Sequence, residues 1–464
     1  MSMSVTSSGE FRSLKRSVPR FLVNTLAVAT LIYGVLLMLV LPWSVHDAVS
    51  YGVLNPTWGV LIGFFGSMFM VRWVIVQFLA FKEHDKRQHE VLKKPVNMPF
   101  VSILVPAHNE SETIVSAIHS LISLDYPRYE VIVIDDGSSD DTYDRALPLA
   151  GHRGRCTVSV FRKPNGGKWS ALNLAFAKSR GELILCVDAD SRLGKDALAR
   201  LIPRLSEPGV VGACGQVTIR NRDNLLTRFQ ALEYLLGNGG MRTALSALGL
   251  VTVVPGPIGL YKREVLEEIT RMPGNEHGTN DDARVYGPLS DATFAEDFQL
   301  SLSALTLGGR IVYEARANAY TKCPDKVDGL ISQRYRWMRG TWQVFHIYLK
   351  QMRPISREKA KRLDWLMLLM YPVDIYLAPI LNFFFWGSLV VAAATGMSLS
   401  LIVSWIGAVT LLNIMTASIY VLAHDDDFSL LPLLVFLDLY QCILVNASWV
   451  IAAVDEIRGA RMKW

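Results

Sequence analysis

Two stretches near the start of the chain, residues 21–43 and 58–81, are nearly unbroken apolar sequence, and about 20 such residues suffice to cross a bilayer as a helix. Hydrocarbon offers the backbone no hydrogen-bond partners, so a spanning segment must be helical. Apolar sequence returns near residue 363, with runs at 377–395, 399–423 and 430–454. The stretch 363–380 contains Pro372, Asp374 and Pro379, which predicts an interfacial or broken helix and leaves three or four C-terminal segments. Hydrophobic residues make up 51% of the chain and charged ones 19%, a balance that fits partial burial in a membrane. Arg72 interrupts the second run; an arginine is costly in lipid, so it should face protein or snorkel to the interface.

Loop charges give an orientation. Arg12, Lys15, Arg16 and Arg20 precede the first run, the loop 44–57 has no Lys or Arg, and Lys82, Lys86, Arg87, Lys93 and Lys94 follow the second. The positive-inside rule then places the N-terminus and the middle of the chain in the cytoplasm of a multi-pass protein of the inner (plasma) membrane. Arg458, Arg461 and Lys463 favour a cytoplasmic C-terminus and an even number of spans. The first run is longer than a signal-peptide core and lacks a small-residue cleavage site, so no cleavable leader is expected. The net charge of +5 is mild and its basic residues flank apolar runs, which argues against nucleic acid as a partner. Five cysteines, with no CxxC pair, predict reduced thiols and neither a zinc site nor a disulfide framework.

At residue 100 the pattern changes. Residues 101–105, 131–134 and 182–187 are short strand-like runs, and 112–124 and 169–179 have helical spacing. Strands alternating with helices imply a mainly parallel sheet covered on both faces, whose ligands collect at the carboxyl ends of the strands. A dinucleotide-binding dehydrogenase would need G-x-G-x-x-G after the first strand. The chain reads Pro106-Ala107-His108-Asn109-Glu110 there.

Six polar or small-residue motifs fall on the loops of this middle region. Asp135-Asp136-Gly137 ends a strand at a turn; alone it is an ordinary Asp-Gly turn. Asn165-Gly166-Gly167-Lys168 puts two glycines and an ammonium at a helix start, an arrangement suited to a diphosphate and equally to a solvated loop. Asp188-Ala189-Asp190 follows a buried strand, and carboxylates two apart at a strand end can share a hard cation such as Mg²⁺ or Mn²⁺ with substrate phosphates. Residues 255–259, which include Gly256 and Pro257, form a rigid stretch poor in side chains that alone is a plain turn. Glu296-Asp297 sits where a helix N-terminus would favour acids anyway. Gln333, Arg336 and Trp337 are spaced to share one side of a helix, and Arg and Trp also suit a headgroup-level interfacial helix. On the same helix, Trp342 is read as a membrane-belt residue.

The ordered set resembles the processive, membrane-embedded members of glycosyltransferase family 2, which make cellulose, chitin, hyaluronan and poly-N-acetylglucosamine. The resemblance covers roughly residues 97–350 and the helix layout at both ends. It implies an α/β GT-A-type domain. It implies that Asp136 holds the uracil of a nucleotide donor, that Lys168, Asp188, Gln333 and Arg336 contact the donor, and that Asp190 ligates the metal. Asp297 matches the general base, with Glu296 beside it, and Gly256, Pro257 and Trp337 match acceptor contacts. Where family members usually read T-E-D, this chain has Ala295. Gln333-Arg334-Tyr335-Arg336-Trp337 matches the Q-x-x-R-W motif of the processive enzymes. Residues 275–292 read as a flexible polar insertion of unknown role, and a cyclic-dinucleotide-sensing domain is not expected.

Together these readings predict a tail and two transmembrane helices (1–96), a cytoplasmic GT-A-type domain (97–325), interfacial helices with the Q-x-x-R-W motif (326–362) and a C-terminal transmembrane region (363–464). The predicted reaction moves a sugar, N-acetylglucosamine or glucose, from a UDP-sugar to a growing exopolysaccharide, with Mg²⁺ or Mn²⁺ as cofactor. The spans would form an exit path lined by groups such as Arg72, Asp374, Tyr376, Asn382 and Asn413, with room for a small membrane or export partner subunit. Two alternatives stay open: transfer of a single sugar to a membrane lipid, and a non-catalytic scaffold or transporter subunit.

Overall fold

The computed structural model describes residues 20–50, 56–90, 98–272, 287–394, 399–424 and 426–460. The charges at Arg12, Lys15, Arg16, Lys93, Lys94, Arg461 and Lys463, and most of the 275–292 insertion, lie outside them. The chain divides into two compact units, Met1–Phe78 with Met397–Val435, and Leu79–Gly396 with Phe436–Trp464.

The first unit is helical. Residues 21–43 fall within the helix Arg20–Ser50, and 58–81 within Pro56–His89. Phe21, Val28, Ile32, Leu36 and Val40 are exposed along the first helix. A row of bare apolar side chains this long is unfavourable in water and suited to lipid. Tyr33 donates to the Ala408 carbonyl at 3.3 Å, and Tyr420 donates to Gln77, tying both N-terminal helices to Leu399–His424. Among the described residues five helices are long and apolar enough to cross a membrane, three of them C-terminal: Lys361–Phe384, Ile406–His424 and Phe428–Ile457. The first of these breaks as Pro372 and Pro379 predict: the helix Lys361–Leu369 ends, a π-helical turn Val373–Leu377 follows, and Ala378–Ala394 resumes.

The second unit is built on one nine-stranded sheet. Its strands are β1 Val101–Ala107, β2 Tyr129–Asp136, β3 Gly151–Arg153, β4 Cys156–Lys163, β5 Leu183–Cys186, β6 Arg192–Leu193, β7 Val210–Ile219, β8 Gly259–Lys262 and β9 Arg310–Thr321. They lie in the order β3-β4-β2-β1-β5-β8-β7-β9-β6. The expected parallel block is β4-β2-β1-β5. Beyond it β8 runs antiparallel to both its neighbours, and β7 and β9 pair parallel. β1 and β2 are buried along their whole length, which is why they read as unbroken apolar runs. The register sets Ala107 opposite Asp135 and Asp136 opposite Lys163, so the motif loops emerge from one end of the sheet. The predicted helix 112–124 is shorter, Ile114–Ile122, because Thr113 stays outside with its hydroxyl on Glu110.

One expectation for an apolar-region aromatic group changes. Trp342 is buried: it stacks on Tyr376 at 5.8 Å between ring centres and meets Trp449 edge-on at 5.6 Å. It is a core residue, not a membrane-belt residue, because the helix Asn446–Ile457 covers it. Asn382, read as a path-lining group, accepts from the Asn446 amide at 2.9 Å.

Within the second unit, charged residues at positions 83–90 form ion pairs with the sheet region. Arg204, 1% exposed, donates to Glu314 at 2.7 Å and also pairs with Glu90 and Glu207, while Arg87 contacts Glu83 and Glu207. Removing one partner of a buried pair leaves an uncompensated charge, worth about 3–5 kcal/mol. Arg204→Met should therefore lower the thermal midpoint of the detergent-solubilised protein clearly; an unchanged midpoint would show that this network adds nothing.

Candidate active site

Lys168 is the centre of the site. It opens the helix Lys168–Lys178, directly after Gly167, whose φ of 88° lies in the left-handed region. Its Nζ lies 2.8 Å from Asp188 Oδ1 and 3.0 Å from Glu296 Oε1. Asp188 comes from the end of β5, and Glu296 and Asp297 from the first turn of the helix Glu296–Thr306. One ammonium thus joins three motifs far apart in sequence. Burial opposes the Lys168 charge, but Asp188, Glu296 and Asp297 outweigh it and hold its pKa well above the ordinary lysine value.

Asp297 lines the same cavity, with Pro106, Cys186, Asp188, Gly256 and Tyr261. Burial first, and Glu296 second, raise its carboxyl to about 7 against the pull of Lys168. Its Oδ1 accepts from the Phe298 amide at 2.7 Å, which fixes the side chain. Cys186 is pushed up to about 12, chiefly by burial, so it stays a neutral wall.

Gly256 has a physical reason to be glycine: a Cβ there would lie 2.6 Å from Asp188 Oδ2 and 2.8 Å from Lys168 Nζ. Pro255 and Gly256 line the cavity; Pro257 turns out of the lining. Buried Ser301 ties this wall to the acidic helix, since its hydroxyl donates to Asp297 O at 2.6 Å and accepts from the Val254 amide at 3.0 Å.

Asp190 follows Asp188 by two residues in the same turn. Ser191 and Thr321 both donate to its Oδ1, at 2.8 and 3.2 Å. Burial and then Asp188 raise its pKa. Among the described residues no group of three His, Cys, Asp or Glu side chains is placed to hold a metal by itself. Two mutually repelling carboxylates with oxygen donors only are still a fitting half-site for a hard divalent cation that takes its other ligands from a phosphate group. Glu110 belongs to this acidic edge and the sequence reading missed it: burial, then Asp190 and Asp188, raise it against a hydrogen bond from Thr113. Its only sequence signal was its place just after β1.

Asp135 and Asp136 make different contacts. Asp136 accepts from Lys163 at 2.5 Å, the Gly166 amide at 3.1 Å and the Gly167 amide at 2.8 Å. Its carboxylate holds the Asn165–Lys168 loop in shape. Asp135, 1% exposed, has no hydrogen bond to either oxygen and only Arg162 nearby, at 3.1 Å.

The Q-x-x-R-W residues lie on the helix Val327–Ile347 and do not line the Lys168 cavity. Arg336 is exposed, Gln333 is part-buried, and Trp337 is 40% exposed. Trp337 is backed by Arg334, whose guanidinium lies 4.1 Å from its ring centre and is itself held by Gln333 at 3.0 Å and Glu233 at 2.8 Å. Fully buried Arg334 has no role in the sequence pattern; its place depends on Glu233, about a hundred residues away. Two turns on, a Cβ at Gly340 would meet Ala295 N at 2.8 Å, so this helix presses on the segment before Glu296. The departure from T-E-D is made good locally: Thr293 accepts from the Ala295 amide at 3.3 Å.

Residues 102–270 match the family described as Glycosyl transferase family 2. The poly-β-1,6-N-acetyl-D-glucosamine synthase of Staphylococcus epidermidis is 27% identical over 285 residues, 61% of this chain and 65% of that protein. The synthase of the same name from Staphylococcus aureus is 27% identical over 60% of this chain and 65% of its own length. The alignment thus spans just under two thirds of these relatives. In three dimensions the fold matches a mannosyltransferase from Pyrobaculum calidifontis solved with GDP-mannose and Mn²⁺, at TM-score 0.51 and 20% identity, over 83% of this chain and 99% of that one. The fold is of the GT-A type.

Lys168 is the counter-charge for three carboxylates, so Lys168→Met should destabilise the fold by on the order of 5 °C at pH 8. Asp297 already has a raised folded pKa, so its ionised form costs stability as pH rises through about 7. The loss in Lys168→Met should accordingly shrink at pH 6. An equal loss at both pH values would show that the ammonium does not balance these acids.

Proposed function

We propose that this chain, with its glycosyltransferase family 2 domain, polymerises N-acetylglucosamine from UDP-N-acetylglucosamine into a β-linked exopolysaccharide at the membrane. The observation that carries this reading is the meeting of Asp188, Lys168 and Asp297 in one cavity at the carboxyl ends of the strands. The donor choice is supported by the names of the staphylococcal relatives.

In this reading Asp297, with its carboxyl near 7, takes the proton from the acceptor hydroxyl as that oxygen attacks the anomeric carbon. A base poised near the working pH balances the ionised fraction against proton affinity. Glu296 keeps Lys168 beside it and helps raise its pKa. Lys168 and exposed Arg336 lend positive charge to the departing diphosphate. A divalent cation held by Asp190, with Asp188 beside it, would supply Lewis-acid stabilisation to the same leaving group. The strand-end pair Asp135–Asp136 is assigned to the uracil imide, as acceptor, and Asp136 also shapes the loop that meets the diphosphate. Gly256 leaves the cavity wall low for the acceptor, and Trp337, braced by Arg334, offers a flat face to a sugar ring. One displacement converts an α-linked donor to a β-linked product. The five apolar helices support a multi-pass location in the cell membrane and export of the polymer through it.

The reading is tested by incubating purified protein with UDP-N-acetylglucosamine and Mg²⁺ or Mn²⁺ and sizing the product. A polymer is expected; a product carrying one added sugar on lipid would favour the single-transfer alternative, and no UDP release would overturn the assignment. Chelation should stop the reaction, and full activity in excess EDTA would remove the metal from the mechanism. Asp297→Asn should lower kcat by roughly 10²–10⁴-fold while UDP still binds. Because the base acts ionised, kcat/KM should rise with pH up to a plateau above about 7. A rate independent of pH from 5.5 to 8 would contradict the role of Asp297.

A further inference from the structure

The residues just before the acidic pair are gripped from outside their own segment. Gln343, three turns after the start of the Q-x-x-R-W motif, accepts from the Phe294 amide with its Oε1 at 3.1 Å. Its Nε2 donates to Glu456 Oε2 at 3.4 Å. Glu456 lies at the end of the helix Asn446–Ile457, the last part of the candidate span Phe428–Ile457.

Glu456 is itself well fixed. Buried Arg339 donates to the same Oε2 at 2.9 Å, to the Tyr335 hydroxyl at 2.9 Å and to the Ala460 carbonyl. The Tyr335 hydroxyl in turn donates to Asp455 at 2.8 Å. The acidic pair Asp455–Glu456 thus holds the motif helix at Tyr335, Arg339 and Gln343, all on one side. Gly340, between them, lets that helix sit directly on Ala295.

Phe294 is three residues from Asp297. Two backbone amides precede the acidic helix: Ala295 N–H is held locally by Thr293, and Phe294 N–H by Gln343 from another helix. The second bond sets where the helix Glu296–Thr306 begins relative to the motif helix. Small displacements of a reacting group are costly: about 1 Å can lower a rate roughly 10²-fold.

We propose that Gln343 is a positioning residue for Asp297, and that Glu456 at the C-terminal end of the last apolar helix holds Gln343 in that role. The membrane-proximal end of the chain would then set the geometry of proton removal without touching substrate. This inference rests on the assignment of Asp297 as general base.

The test exchanges donor and acceptor. Gln343→Ala should lower kcat by about 10-fold or more with KM for UDP-N-acetylglucosamine little changed. Gln343→Glu keeps the acceptor for Phe294 but sets two carboxylates against each other, and should be impaired as well. Combining Gln343→Glu with Glu456→Gln restores a donor–acceptor pair and keeps one negative charge beside Arg339, so it should recover most of the parent kcat. Amide exchange at residues 294–297 is followed in the same proteins, with faster exchange expected in Gln343→Ala and parental exchange in the swapped pair. A folded Gln343→Ala protein with parental kcat would overturn the proposal, as would a swapped pair no better than Gln343→Glu alone. Parental exchange at Phe294 in every variant would also overturn it. A parent that transfers no sugar, yet shows the expected exchange pattern, would instead sink the base assignment and leave the link standing.

Discussion

The site depends on one ammonium balancing three carboxylates. Asp188, Glu296 and Asp297 arrive from two distant elements, and each would repel the others without Lys168 among them. Gly256 leaves the space that the Asp188–Lys168 pair occupies. The same balance sets Asp297: Lys168 pulls its carboxyl down while burial and Glu296 push it up, to about 7, a value that suits the proposed base. Neighbouring charges and desolvation of opposing sign are the usual means of tuning such groups.

The sheet explains why these groups meet. Parallel β4-β2-β1-β5 delivers its loops to one end of the sheet, and Asp188 lies two residues past the end of β5 at Cys186. Antiparallel β8 then brings the 255–259 wall alongside, because Gly259 pairs with Cys186. The acidic helix is held against that wall through Ser301.

Much of this was legible in the sequence because it is local. The strand end at Asp136, the turn that carries Asp188 just past β5, the helix start at Lys168 and the apolar runs all follow from periodicity and turn chemistry. The break near Pro372 and Pro379 was legible for the same reason. What was not legible depends on partners brought together by folding. The division between Asp135 and Asp136 turns on Lys163 and on the Gly166 and Gly167 amides. The bracing of Trp337 by Arg334 turns on Glu233, and the burial of Trp342 on Trp449. The hold of Glu456 on Gln343 spans 113 positions, and no short-range pattern encodes it. At Ala295, which departs from T-E-D, the residue's own amide donates to Thr293.

The proposed reaction is a single displacement at the anomeric carbon with Asp297 as base. The most direct measurement is the anomeric configuration of the first glycosidic bond formed from UDP-N-acetylglucosamine by the purified protein, read by proton NMR before any further processing. The account predicts a β bond. An α bond, which would require retention of the donor configuration, would contradict it.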